Sequence, residues 1–275
     1  CFFISQHSQK FFRHLRQVMI EGKTLPIGIN PNKQLNSRLL KPMFLLNCLI
    51  DSCLTGNIIG ALNTNVIIDL LHKSKLSSKF IPVDKAHNPI TFYNGILEVI
   101  GQQSINIKNL YLEFNHPMAD AKKLTITEYA EFIRTSFQTS PDLVIIEKEP
   151  LGGKKASGLA RRKDQTEFNN FIPNYIKTLA TKIEKYGEMY ILDCVVLRDN
   201  SHTHFSAYLT CDGQEKWFDG AGLYKPIDFK WKHLINKNVD INDTDYTTPS
   251  GPKWMPMKWN FMKGYFAAFY YREKK

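Results

Sequence analysis

His204-Phe205-Ser206-Ala207-Tyr208-Leu209-Thr210-Cys211-Asp212-Gly213-Gln214-Glu215-Lys216-Trp217-Phe218-Asp219 reads as two strands joined by a tight turn. Asp-Gly between two apolar-patterned runs supplies the positive backbone φ angles that a two-residue hairpin needs. A histidine opens the first strand and an aspartate follows the second, so the hairpin can bring the two side chains face to face. Amide cleavage by a cysteine needs such a pair: a base for the thiol and a group that fixes the imidazole tautomer. The candidate nucleophile is the first residue, Cys1, in Cys1-Phe2-Phe3-Ile4-Ser5. A helical pattern follows it, and a thiol ahead of a helix has its thiolate stabilised by free amides and the helix dipole.

Upstream, residues 2–20 place apolar side chains at three- and four-residue spacing, which predicts a helix that Gly22 closes. Pro26 and Pro31 mark the loop beyond it. Residues 41–54 predict a second helix with Pro42 in its first turn, and residues 65–75 a third. From Pro89 the texture turns to strands, expected at 91–93, 95–100 and 109–114. An amphipathic helix is expected over 125–137, with Thr125 and Glu128 forming a capping box. Further strands are expected at 141–147, 190–197, 204–210, 215–218 and 264–271, and 236–253 reads as a surface excursion. The outcome is an α+β chain forming a single domain over 1–275, with a helical lobe at 1–80 and a mainly β lobe at 81–275.

Composition narrows the function classes. With 43% apolar and 12% aromatic residues over 275 positions, a folded core is expected rather than disorder. No window approaches a membrane span. The chain shows no signal-peptide pattern, and the absence of an initiator Met suggests a fragment or a processed chain. Five scattered cysteines point to a reducing compartment, cytoplasm or nucleus. The net charge of +10 is read mainly as a solvated lysine-rich surface. The basic loop at 154–163 is not a phosphate-binding loop, because Leu159 stands where the lysine belongs. Nucleic-acid binding through it is not favoured, since no aromatic residues interleave the charge.

The segment from His204-Phe205-Ser206-Ala207-Tyr208 to Trp217-Phe218-Asp219 resembles the histidine box of the ubiquitin-specific proteases, a papain-like family of cysteine peptidases. Cys1-Phe2-Phe3-Ile4-Ser5 is similar to the start of that family's cysteine box, with Ile4 where an asparagine is usual. Fainter similarity touches Phe44 to Leu49, residues 141–147 as the central palm strand, and residues 264–271 as the closing strand. The resemblance implies a papain-like fold with a helical thumb and a mostly antiparallel β palm. It implies a catalytic triad of Cys1, His204 and Asp219, and ubiquitin or a ubiquitin-like modifier and its conjugates as partners. It implies no cofactor, and the family's zinc-binding cysteine pairs are absent. The family's oxyanion asparagine precedes the cysteine, and the sequence has no counterpart to it. Thr203 replaces the usual glycine before the histidine.

Alternatives stand beside each residue. His202 competes with His204, and Asp212 and Asn200 compete with Asp219. Cys48 and Cys53 are alternative nucleophiles, although their apolar helix suggests buried, unreactive thiols. Cys194 and Cys211 fall in strand patterns, and Tyr208 and Trp217 read as core. His202 and His204 share a strand face, but no acidic or sulfur partner has metal-ligand spacing. The expected function is removal of a modifier from proteins. The alternative is a non-catalytic modifier-binding or scaffold module of the same fold.

Overall fold

The computed structural model describes residues 5–24, 33–55, 64–85, 88–100, 107–112, 142–148, 180–185, 188–199, 204–219, 226–242, 258–261 and 265–273. The helix expected at 125–137 and the basic loop at 154–163 lie outside them. The chain divides into two compact units. One comprises residues 8–106, the other residues 1–7 and 107–275.

Four helices are described. α1 (Gln6–Glu21) enters the helical unit at Ser8 and buries Leu15, Val18 and Met19 at i, i+3 and i+4. It stops at Gly22, whose φ of +67° continues no right-handed helix and whose N–H closes on the Val18 carbonyl at 2.9 Å. α2 (Ser37–Thr55) starts four residues earlier than the pattern suggests. Asn36 caps it by accepting the Arg38 N–H at 3.0 Å, so Pro42 sits inside the helix instead of in its first turn. The buried stripe Leu39, Met43, Asn47 and Ile50 carries the helix through the proline. α3 (Thr64–Ser74) buries Ile67, Leu71 and Ser74.

α4 (Pro89–Val99) overturns the strands expected at 91–93 and 95–100. Asn88 accepts the Ile90 N–H at 2.8 Å, and Pro89 occupies the first helical position, where its missing N–H costs nothing. Ile90, Tyr93 and Leu97 then fall on one buried face. The cap outweighs the strand preference of Thr91, Phe92 and Tyr93.

The α+β reading holds for the chain in its coarse form, helices together with a mainly antiparallel sheet, and the sheet lies in the other unit. Its strands are β1 (Ile107–Leu112), β2 (Leu143–Lys148), β3 (Lys182–Lys185), β4 (Glu188–Arg198), β5 (Phe205–Cys211), β6 (Gln214–Phe218) and β7 (Ile227–Asp228). β8 (Ile241–Asn242) and β9 (Lys258–Trp259) form a separate ribbon, and β10 (Phe266–Arg272) completes the set. The order is β1-β2-β10-β4-β5-β6-β7, with β3 also pairing β4, and among the described residues only β1–β2 is parallel. The last strand of the chain thus lies between β2 and β4, and residues 266–271 are buried on both faces. The 141–147 segment forms β2, an interior strand between β1 and β10.

One core cluster takes Val144 and Ile146 of β2, Phe266, Ala268 and Tyr270 of β10, and Tyr208 and Trp217 of the hairpin. Trp231, Ile235, Ile241, Trp259 and Phe261 join the same cluster. Tyr208 lies 4.9 Å from the Phe261 ring centroid and stacks on Trp217 at 6.4 Å. Residues 236–240 are exposed, as expected for a surface excursion, while Ile241 just beyond them is buried and pairs with Trp259. In β4 the cluster members Tyr190, Leu192, Val195 and Leu197 step by two, three and two residues. The three-residue step marks a bulge: Phe269 pairs with Cys194 and Tyr270 with Leu192, leaving Asp193 extra.

Candidate active site

The hairpin forms as its sequence predicts. Asp212 and Gly213 both take positive φ, +49° and +75°, and join β5 to β6. Ala207 pairs with Phe218, and continuing that register sets Asp219 opposite Ser206. His204 is then the diagonal neighbour of Asp219 on the same face, within reach of a long side chain. His204 Nε2 lies 2.5 Å from Asp219 Oδ1. The Asp219 carboxylate is 1% exposed, whereas the His204 side chain keeps 28% of its surface open.

The partners assign the tautomer. An ionised carboxylate only accepts, so Nε2 carries the proton and donates to Asp219. In the neutral ring Nδ1 then holds the lone pair and is the basic atom. Trp259, wholly buried, meets the imidazole edge-on at 6.4 Å and is itself braced by Trp217 at 5.6 Å. The pair therefore sits where the aromatic core reaches the surface. A low-polarity wall on one side strengthens the electrostatic coupling of acid and ring.

A third residue, missed in the sequence, holds the histidine backbone. The Asp199 Oδ1 accepts the His204 main-chain N–H at 2.7 Å, and the Asp199 N–H donates to the His204 carbonyl at 2.9 Å. These bonds extend the β4–β5 ladder by one pair beyond Arg198 and Phe205. Asp199 is buried, so its carboxylate needs hydrogen bonds to offset lost hydration. The hint available in the sequence was an aspartate directly after an apolar strand and five residues before the histidine.

The structure brings His204 and Asp219 together, while Cys1, His202 and Asn200 lie outside the described residues. Asp212 caps the far end of the hairpin, away from His204. Cys194 pairs with Leu209, five residues along β5 from His204, or about 16 Å at strand rise. Burial, followed by the charge of Asp193, pushes the Cys194 thiol far up. Cys211 is also pushed up, by burial and then by Asp212. Neither environment favours a thiolate. In the helical unit Cys48 is half-buried rather than buried, and the side chain of Cys53 lies outside the described residues. Among the described residues no group of three or more metal-ligating side chains converges. No described helix is long and apolar enough to cross a membrane. No protein-family model matches the chain, and no curated protein matches it in sequence.

Proposed function

We propose that the chain is a papain-like cysteine peptidase or isopeptidase that removes ubiquitin or a ubiquitin-like modifier from proteins. The observation that carries this reading is the His204–Asp219 pair at 2.5 Å, built by the hairpin whose sequence resembles the histidine box. Its exposed ring and buried acid are what a general base and its orienting group require. Burial disfavours the thiolate at Cys194 and Cys211, and Cys1 is taken as the nucleophile from its similarity to the cysteine box.

In this mechanism His204 Nδ1 takes the Cys1 proton, and Sγ attacks the carbonyl carbon of the modifier's C-terminal glycine. The tetrahedral adduct collapses to a thioester, and the leaving amine receives its proton from His204. Water then attacks the thioester, giving its proton to Nδ1, and the Cys1 thiol leaves reprotonated. Asp219 holds the ring and stabilises its charged form throughout, and backbone amides near Cys1 would carry the oxyanion.

The test is covalent labelling with electrophilic probes derived from several modifiers, on the wild type, Cys1→Ala and His204→Ala. A probe adduct on Cys1, lost in both variants, is the expected result, and the reacting probe names the modifier. Modifier binding without an adduct would replace the enzyme by a non-catalytic binding module. An adduct on Cys48 or Cys53 would move the nucleophile.

A further inference from the structure

Ser206 stands two residues after His204, on the same face of β5. A row of facing residues runs through it across the sheet. Phe266 of β10 pairs with Leu197 of β4, and Leu197 pairs with Ser206. The Ala207–Phe218 register then continues the row to Asp219. Phe266, Leu197, Ser206 and Asp219 are all buried. The row thus sets one hydroxyl between two apolar side chains and the carboxylate that orients His204. Ser206 Oγ is enclosed and has no hydrogen-bond partner among the described residues. A hydroxyl left so costs about 1–3 kcal/mol, which a purely structural strand residue has no reason to carry.

Facing residues on one sheet face have Cβ atoms about 4.5–5.5 Å apart. A serine side chain turns about a single torsion with three staggered positions. One such turn brings the hydroxyl onto the Asp219 carboxylate without moving either strand. Leu197, on the other side, offers its side chain no acceptor. An ionised carboxylate accepts several hydrogen bonds, so a bond from Ser206 leaves the one from His204 Nε2 in place. The charged groups that meet His204 are Asp219 at the ring and Asp199 at the backbone, and β9 presents Trp259. The same strand also supplies a comparison. Thr210 is buried on the same face, and its Oγ1 likewise has no partner among the described residues. It faces Glu215, about 13 Å along the strand from Ser206.

We propose that Ser206 is a positioning residue for the His204–Asp219 pair: its hydroxyl turns onto Asp219 and shares the carboxylate with the imidazole. The charge on the acid is least compensated when the ring is neutral, so the bond is strongest then. It therefore favours release of the ring's proton, which the leaving amine has to receive. Ser206 touches no reacting atom and acts through Asp219. Its effect on rate rests on the cysteine-peptidase reading, whereas its effect on the ring does not.

The experiment follows the His204 ring by NMR across pH, with kcat/KM and thermal melting, in the wild type, Ser206→Ala, Ser206→Thr and Thr210→Val. In Ser206→Ala the ring is expected to titrate at higher pH and its Nε2 proton resonance to move, with kcat/KM about two- to tenfold lower. Ser206→Thr keeps the hydroxyl and is expected to stay close to the wild type. Thr210→Val, which removes an equally enclosed hydroxyl away from the pair, is expected to leave titration and kcat/KM unchanged. Should Ser206→Ala not fold, Ser206→Cys decides, because a thiol is a weak donor of similar size. A change in melting with the ring titration unmoved would overturn the inference and reduce Ser206 to packing. Equal movements in Ser206→Ala and Thr210→Val would overturn it too, since core polarity rather than one bond would then set the ring. Either result in an enzyme that cleaves would leave the peptidase reading standing. A wild type that neither labels at Cys1 nor cleaves, with the ring titration moved in Ser206→Ala, would overturn that reading and uphold the role of Ser206.

Discussion

The sheet unit contains two histidine–aspartate pairs made of the same groups and arranged for opposite ends. In His204–Asp219 the carboxylate meets Nε2, the ring is 28% exposed, and Nδ1 is the basic atom. In His7–Asp193 the carboxylate meets Nδ1 and also takes the backbone N–H of the same residue. The first pair leaves its backbone to another acid, Asp199, and so separates holding the chain from orienting the ring. The second uses its two oxygens to fix one residue in place. Among the described residues the buried carboxylates are Asp193, Asp199 and Asp219. All three bond to these two histidines, so the unit's buried negative charge is concentrated where imidazoles are placed.

The largest expected effect separates the pairs by activity. His204→Ala should lower kcat/KM by about ten-thousandfold and Asp219→Ala by about a hundredfold, measured with a fluorogenic modifier substrate. His7→Ala should lose only severalfold. Equal losses at the two histidines would erase the division of roles, and a large loss at His7 alone would invert it. Stability should not follow the same order. Each histidine offsets the burial of a carboxylate, so removing either should cost about 1–3 kcal/mol in denaturant unfolding.

Asp199 comes next, since it sharpens the idea that the first pair divides its work. Asp199→Ala removes the acceptor for the His204 N–H, and kcat should fall by about 10- to 100-fold through a misplaced ring. Asp199→Asn keeps an acceptor and should remain within severalfold of the wild type. The pH dependence of kcat/KM should keep its shape in Asp199→Asn and change in Asp219→Ala, because only the latter touches the ring.

Much of the first pair was legible in the sequence, and the second was not. The Asp-Gly turn and the flanking apolar runs specify a hairpin locally, and the hairpin register carries His204 to Asp219 across fifteen positions. Nothing local links His7 to Asp193. Their meeting depends on a bulge set by the pairing of β4 with β10, whose partner residues lie about seventy to eighty positions apart. The same distinction explains α4. Thr91, Phe92 and Tyr93 are strand-forming types, but the cap Asn88 and the proline at the first helical position decide the local structure. It also explains the buried Trp231 and Trp259, which short, weakly patterned segments bring onto the sheet from outside its ladder. Only the contacts they make there mark them as core.

The smallest expected effect tests how much the first pair depends on its turn. Gly213 has a φ of +75°, and a Cβ added there would meet nothing within 4 Å, so Gly213→Ala is strained only in its backbone. The substitution should cost about 1 kcal/mol, seen as a lower denaturation midpoint with an unchanged slope. Gly213 lies at the opposite end of β5 and β6 from His204 and Asp219, and five ladder pairs intervene between the turn and the site. Activity at a temperature well below unfolding should therefore stay at the wild-type level. A loss of activity larger than the loss of folded protein would mean that the pair is held by the turn itself rather than by the strands and the aromatic wall. His204–Asp219 would then be as dependent on one distant backbone feature as His7–Asp193 is on its bulge.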